Sequence, residues 1–308
     1  SASKFFDSYA MKSRDDAEIL EMYEDRYIVL ALYLAQGDEQ LAKAAIDALF
    51  TAYQPATPTT LNSGKQARGE LVSCFKLSMD DTMNSIAKNI GYCLELSRLG
   101  GGVGVNLTDL RPLGDPIKHI DNRASGVMPV AKLLENSFSY SNQLGQRNGS
   151  GVVYLNIFHR DIENFISSKK PNDDEKIRLA TLSTGVVIPS VFFELMKRDE
   201  DIALFSPYDI YREYGKRMSE LSITDMYDEL LNNDNIRKLK YINARKLYTD
   251  IKKAQFESGY PFEIFDDNVN DAHALKGIGR VKMSNLCTEI LQYMETSVIT
   301  DETEENEY

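Results

Sequence analysis

The sequence predicts an α/β protein with parallel strands behind a helical lead-in. Three observations predict it. The first fifty residues repeat apolar side chains at three- and four-residue steps, the period of an amphipathic helix. Beyond residue 70, short apolar runs of strand length alternate with helix-period patterns, as in successive β-α-β units. The chain is 308 residues long, 43% hydrophobic and 27% charged, an ordinary globular composition. A chain of this length buries roughly 75% of its unfolded surface and needs no disulfide framework.

Taken in order, Ile19, Met22, Tyr23, Tyr27, Leu30 and Leu34 predict a first helix, which Gly37 stops. Asp38 can cap a second, carrying Leu41, Ala45 and Leu49. The stretch QPATPTTLNSGKQARGE (54–70) reads as a loop long enough to suspect function. LVSCFKLS (71–78) reads as a strand. Asp80 or Asp81 then opens a helix with Met83, Ile86, Ile90, Cys93 and Leu94 on one face, closed by Gly100. GGVGVNL leads into a second strand, and VVYLNI (152–157) and TLSTGVVIP (181–189) are further candidates. Helical patterns cover 128–142, 160–168, 190–198, 223–232 and 243–257. The last fifteen residues hold six acids and no Lys or Arg, which suits a solvated or hairpin end. The expected organisation is a helical region over 1–70, an α/β domain over 71–292 and an acidic tail over 293–308. Five or so strands make only half of a closed barrel, and a half barrel leaves edges unpaired.

Charge narrows the function classes. Thirty-five basic against 47 acidic residues give a net charge of −12, which argues against a general DNA or RNA binder. No run of roughly 18 apolar residues exists, so no membrane span is expected, and the first residues lack a signal-peptide core. The three cysteines include no Cys-x-x-Cys pair, which fits a reducing, cytoplasmic setting. His119, His159 and His273 share no metal-ligand spacing, and no serine elbow suggests a hydrolase.

Cys287 is the most suggestive single residue. In extended structure Asn285, Cys287 and Glu289 would point to one side, joining a sulfur reactant, a carboxylate for proton transfer and an amide that orients a hydroxyl. The same pattern also suits a small buried cysteine beside a surface glutamate. Cys74, just after the long loop, is open to both readings, whereas Cys93 lies on an apolar helical stripe and reads as core. GGGVGV (100–105) lacks both the dinucleotide-binding and the P-loop spacing. It reads as a helix end followed by a strand that something approaches closely, whether protein or a sugar ring. QRNGSG (146–151), with Arg147, is either an exposed turn or a loop that reads a nucleotide. Arg111 and Lys118 bracket RPLGDPIK and either bind phosphate or decorate the surface.

In series, QPATPTTLNSG, SCF, GGGVGVNL, LGDPIKHI, SGVMPV, FSYSNQLGQRNGSG, DEKIR, LFSPYD, INAR, FESGYPF and SNLCTEILQ resemble one family from end to end. It is the large catalytic subunit of class I ribonucleotide reductase, and the class Ib branch most closely. The resemblance implies a helical segment followed by the first half of a ten-stranded α/β barrel, with a central finger loop. The implied activity is radical reduction of ribonucleoside diphosphates to deoxyribonucleotides.

Carried over residue by residue, the resemblance makes Cys287 the thiyl radical that removes the ribose 3′ hydrogen. Glu289 becomes the base for the 3′ hydroxyl, and Asn285 the group that hydrogen-bonds the substrate hydroxyls. Cys74 becomes the redox cysteine that helps reduce the 2′ position. Thr57, Ser73, Gly102, Leu286 and Thr288 match substrate-contacting positions. Asp81, Thr82, Met83, Arg111 and Lys118 match a specificity site for a deoxynucleotide or ATP effector at the dimer interface, and Arg147 lies in the loop that signals to the substrate. No covalently bound cofactor is implied in this chain. The implied partners are a second large subunit, a small subunit whose dimetal–tyrosyl centre supplies the radical, and a glutaredoxin- or thioredoxin-like thiol reductant. The family's pattern continues into a second half barrel beyond these residues. The chain is therefore expected to be part of a longer subunit or half of a split one, the alternative being a nucleotide-binding and dimerisation module without chemistry.

Overall fold

The computed structural model describes residues 3, 5–15, 18–65, 71–143, 147–170 and 177–296. They fall into two units, one of residues 1–73 with 98–101 and 142–148, the other of the remainder.

The first unit is helical. α1 (Tyr23–Ala35), α2 (Glu39–Thr51) and α3 (Thr57–Asn62) follow a short π-helical turn at Phe5–Tyr9. The Asp38 carboxylate accepts from the Gln40 and Leu41 N–H groups and so caps α2 as the sequence predicts. The first helix begins later than its apolar period suggests. Ile19 forms an antiparallel bridge with Lys12, and the Asp25 carboxylate accepts from the Met22 N–H at 2.9 Å, which sets the start at Tyr23. The expected loop over 54–70 holds α3, started by Pro58 within its first turn. Arg26 is fully buried, pairs with Glu21 at 3.3 Å and donates to the Ser63 carbonyl.

The second unit runs β1 (Cys74–Ser78), α4 (Met83–Arg98), β2 (Gly102–Asn106), α5 (Val127–Tyr140), β3 (Ser150–Asn156), α6 (Ile162–Ser167), β4 (Ser183–Ile188), α7 (Ser190–Lys197), β5 (Asp201–Leu204), α8 (Pro207–Tyr214), α9 (Ile223–Asn232), β6 (Lys240–Asn243), α10 (Ala244–Ser258), β7 (Phe262–Phe265) and α11 (Asp266–Ala272). Five strands form one parallel sheet in the order β1-β2-β3-β4-β7, while β5 and β6 form a separate antiparallel pair. The parallel α/β class predicted from the sequence is the one observed. The short strands β5, β6 and β7, with α8 and α11, are additions to the predicted elements.

Because the sheet strands follow chain order, right-handed crossovers send their helices to one face. Strand alternation then divides the residues cleanly. Phe75, Leu77, Val103, Val105, Val153, Leu155, Val186 and Ile188 face the main core with Phe138, Phe192 and Leu247. Val152, Tyr154, Val187 and Ile264 face the other way and pack with Met283 from the segment after α11. A buried ionic hub ties down the loop after β2: Asp115, with no exposure, binds Arg160, Ser206 and Arg237, and Arg237 also pairs with Asp209 at 2.7 Å. Among the described residues, no helix is long and apolar enough to cross a membrane.

Candidate functional site

The face of the sheet opposite the main core, on which Val269 of α11 also packs, is crossed by residues 281–296. On β1 the side chains of Cys74, Lys76 and Ser78 all point to this face, because strand residues two apart share a side. Each meets the crossing segment. The Cys74 thiol donates to Glu289 Oε1 at 3.6 Å, Lys76 Nζ donates to the Gln292 carbonyl at 2.6 Å, and the Ser78 and Thr296 hydroxyls lie 3.2 Å apart. Thr296, inside the stretch whose composition suits a solvated end, is buried and also accepts from Lys282 at 2.8 Å.

Glycine on β2 makes the approach possible. A Cβ on Gly104 would lie 2.0 Å from the Ser284 carbonyl oxygen, and one on Gly102 would lie 2.9 Å from Leu286 Cδ2. The close approach read from GGGVGV is therefore real, and the segment 284–286 makes it. Gly102 is also the register partner of Cys74, so that cysteine, Leu286 and Glu289 converge at the start of β1 and β2.

The finger is a turn, and the expected extended run over Asn285, Cys287 and Glu289 is corrected. Thr288 has φ 67° and donates its N–H to the Asn285 carbonyl at 3.2 Å. The Asn285 side-chain oxygen accepts from the Glu289 N–H at 3.2 Å, the Ile290 N–H at 3.0 Å and the Ser284 hydroxyl at 3.1 Å. An asparagine that satisfies local backbone donors in this way favours a turn over a strand. Asn285 is consequently buried, while Cys287 and Glu289 are exposed at the tip. The amide orientation is fixed by those backbone donors, and its Nδ2 is a buried donor with no partner among the described residues.

A second cluster forms where α4 begins. Arg111 donates to Asp81 at 2.6 Å and to the Pro116 carbonyl at 2.6 Å, with its guanidinium 4.8 Å from the centre of the Tyr208 ring. Burial pushes the Asp81 carboxyl up to about 6 against the pull of Arg111. The Thr82 hydroxyl accepts from the Ser85 N–H at 3.1 Å, and Met83 is 70% exposed. Lys118 is exposed at φ 49°. In the helical unit, Thr57 begins α3, Ser73 immediately precedes β1, and the backbone of Arg147 pairs with Gln143 in a two-residue antiparallel ladder.

Lys76 and Tyr154 are site residues that the sequence reading passed over. Alternation was the available signal, since Lys76 shares its face with Cys74, and Tyr154 shares its face with Val152. Burial pulls the Lys76 ammonium down to about 8. Below that pH both folded and unfolded chains carry the proton. Between about 8 and the ordinary lysine range only the unfolded chain carries it, so stability rises with pH there. Urea midpoints compared with Lys76→Met from pH 7.5 to 10 will show the parent gaining on the variant. A parent that loses ground as pH rises contradicts this.

Two family models cover the chain: the ribonucleotide reductase all-alpha domain over residues 1–68 and the ribonucleotide reductase barrel domain over residues 72–303. The chain belongs to the ribonucleotide reductase family. The ribonucleoside-diphosphate reductase subunit alpha of Bacillus subtilis is 49% identical over 308 residues, covering 100% of this chain and 44% of that protein. The subunit alpha of Mycoplasma genitalium is 51% identical over 292 residues, 94% of this chain and 40% of that protein. The nrdEB subunit alpha of Bacillus phage SPbeta is 49% identical over 288 residues, 93% of this chain and 26% of that protein. The chain thus spans less than half the length of these ribonucleotide reductase relatives. The family read from the sequence motifs, class I large subunit and class Ib most closely, is the one the relatives represent.

Proposed function

We propose that this chain supplies the radical-bearing finger and half of the catalytic barrel of a ribonucleoside-diphosphate reductase. The observation that carries this is the contact between Cys74 of β1 and Glu289 of the finger, two residues from the exposed Cys287. A radical-bearing thiol, a carboxylate beside it and a reducing pair of thiols are the groups that ribose 2′ reduction requires, and Cys74 is one member of that pair. In this reading Cys287, as a thiyl radical, takes the 3′ hydrogen of the ribose and Glu289 accepts the 3′ hydroxyl proton. Cys74 and a partner cysteine supplied by the remainder of the large subunit together give two electrons and two protons as the 2′ hydroxyl leaves as water, and their sulfurs end joined as a disulfide. The partnerless Nδ2 of Asn285 is the donor for a substrate hydroxyl. Gly102, Leu286 and Thr288 line the sugar, and Thr57 and Ser73 match substrate-contacting positions of the family.

The radical comes from a small subunit with a dimetal–tyrosyl centre, and the electrons from a glutaredoxin- or thioredoxin-like protein. Asp81, Thr82, Met83, Arg111 and Lys118 form the effector site of a homodimer, and Arg147 belongs to the loop that answers it. Engaging Arg111 with an effector phosphate would have to compete with its bond to Asp81.

The test combines this chain with the remainder of a class Ib large subunit, the small subunit, a dithiol and a labelled ribonucleoside diphosphate. The expected product is the 2′-deoxyribonucleoside diphosphate. Effector binding without any product from the completed enzyme would replace this reading with that of a nucleotide-binding and dimerisation module.

A further inference from the structure

Tyr154 lies in the middle of the central strand, is fully buried and faces the finger. Room for its ring is made by Gly185 on the neighbouring strand, where a Cβ would lie 2.3 Å from Tyr154 Cε1. A phenol in such a place needs a partner for its hydroxyl, since an unpaired buried polar group is costly. Its hydroxyl donates to the Asn285 carbonyl at 2.8 Å and lies 3.0 Å from Thr288 Oγ1. Having one hydrogen, already directed at that carbonyl, the phenol must accept from the threonine. The two bonds clasp the turn at its first and last residues. Leu286 and Cys287 lie between them, and Glu289 follows at once.

Asn285 and Thr288 also join each other through the Thr288 N–H, and Asn285 Oδ1 holds the amides of Glu289 and Ile290. The bonds that shape the tip therefore run through the two residues Tyr154 holds, apart from that of the Ser284 hydroxyl to the Ile290 carbonyl at 3.0 Å. Thr288 sits in the left-handed region, which a threonine enters only when its surroundings hold it there. Burial, with Glu289 and Cys287 nearby, pushes the phenol up to about 12, so the donor persists across the physiological range.

The geometry points to Tyr154 as the positioning residue of the finger, acting through the Asn285 carbonyl and the Thr288 hydroxyl to hold Cys287 and Glu289 in their reacting places. The statement deepens the reductase reading above and, for its effect on turnover, rests on it.

Tyr154→Phe keeps the ring and removes the clasp, and Thr288→Val removes its second arm. Hydrogen exchange on the full chain is expected to speed up about tenfold at the amides of Thr288, Glu289 and Ile290 in either variant, with the β3–β4 amides unchanged. The double variant should exchange no faster than the faster single one, because both substitutions break one unit. In the completed enzyme, kcat of Tyr154→Phe should fall about tenfold and its KM stay within twofold, since a mispositioned thiol weakens the transition state more than binding. Unchanged exchange at 288–290 in Tyr154→Phe overturns the proposal, as does strictly additive behaviour of the pair. A loss of kcat with unchanged exchange also overturns it, because the phenol would then act on substrate directly. The exchange measurement needs no turnover. Should Cys287→Ser retain activity, the reductase reading falls, and exchange still decides the role of Tyr154.

Discussion

Cys287→Ser is expected to reduce ribonucleotide turnover of the completed enzyme to background, a loss of at least about 10⁴-fold. The oxygen–hydrogen bond of serine is too strong to yield the radical that a thiol gives up, so no smaller effect is consistent with the assigned role. The substitution is conservative because Cys287 is exposed at the tip of the turn and serine is nearly isosteric with it. Stability should therefore stay within about 0.5 kcal/mol of the parent. Glu289→Gln makes the companion measurement. Its amide oxygen can still accept from the Cys74 thiol, while its capacity to take a proton is gone, and a loss of about 10²–10⁴ is expected. Turnover retained by the serine variant, assayed with substrate and effector saturating, removes the radical role from this residue.

How much of this was legible in the sequence differs from one residue to the next, for physical reasons. The long helices were visible because their apolar periods run for three turns or more. Strands of four residues such as β5, β6 and β7 show no comparable period, and each carries charge at Asp201, Lys240 or Glu263. The glycines of β2 announced a close approach without naming what approaches, since that contact is non-local and leaves no trace in neighbouring residues. Side-chain alternation predicts an extended finger, but Asn285 offers the backbone a competing acceptor there and a turn forms instead. Lys76 resembled a surface lysine for a related reason. Its target is a carbonyl far along the chain, and only the pairing of β1 with the crossing segment brings the two together. The family motifs, by contrast, were readable as a series, and they designated Cys74, Asn285, Cys287 and Glu289 without any of this geometry.

Gly104→Ala should have the largest effect of any single methyl added to the sheet. The new Cβ would sit 2.0 Å from the Ser284 carbonyl oxygen and 3.1 Å from the Asn285 Cα, both backbone atoms that cannot rotate aside. The strand cannot retreat either, because Gly104 is registered between Lys76 of β1 and Val152 of β3. The finger must lift, which carries Cys287 and Glu289 away from Cys74. A stability loss of about 3 kcal/mol is expected, with turnover close to that of Cys287→Ser. Two other glycines calibrate the result. At Gly102 the obstruction is the flexible Leu286 side chain at 2.9 Å, so alanine there should cost less. At Gly277 nothing lies within 4 Å, and alanine should be neutral or slightly stabilising. Urea midpoints and turnover should therefore fall in the order Gly277, Gly102, Gly104. A Gly104→Ala protein with parental turnover would mean that the finger does not rest on β2 in the active enzyme. The contact between Cys74 and Glu289 would then not describe the reacting state.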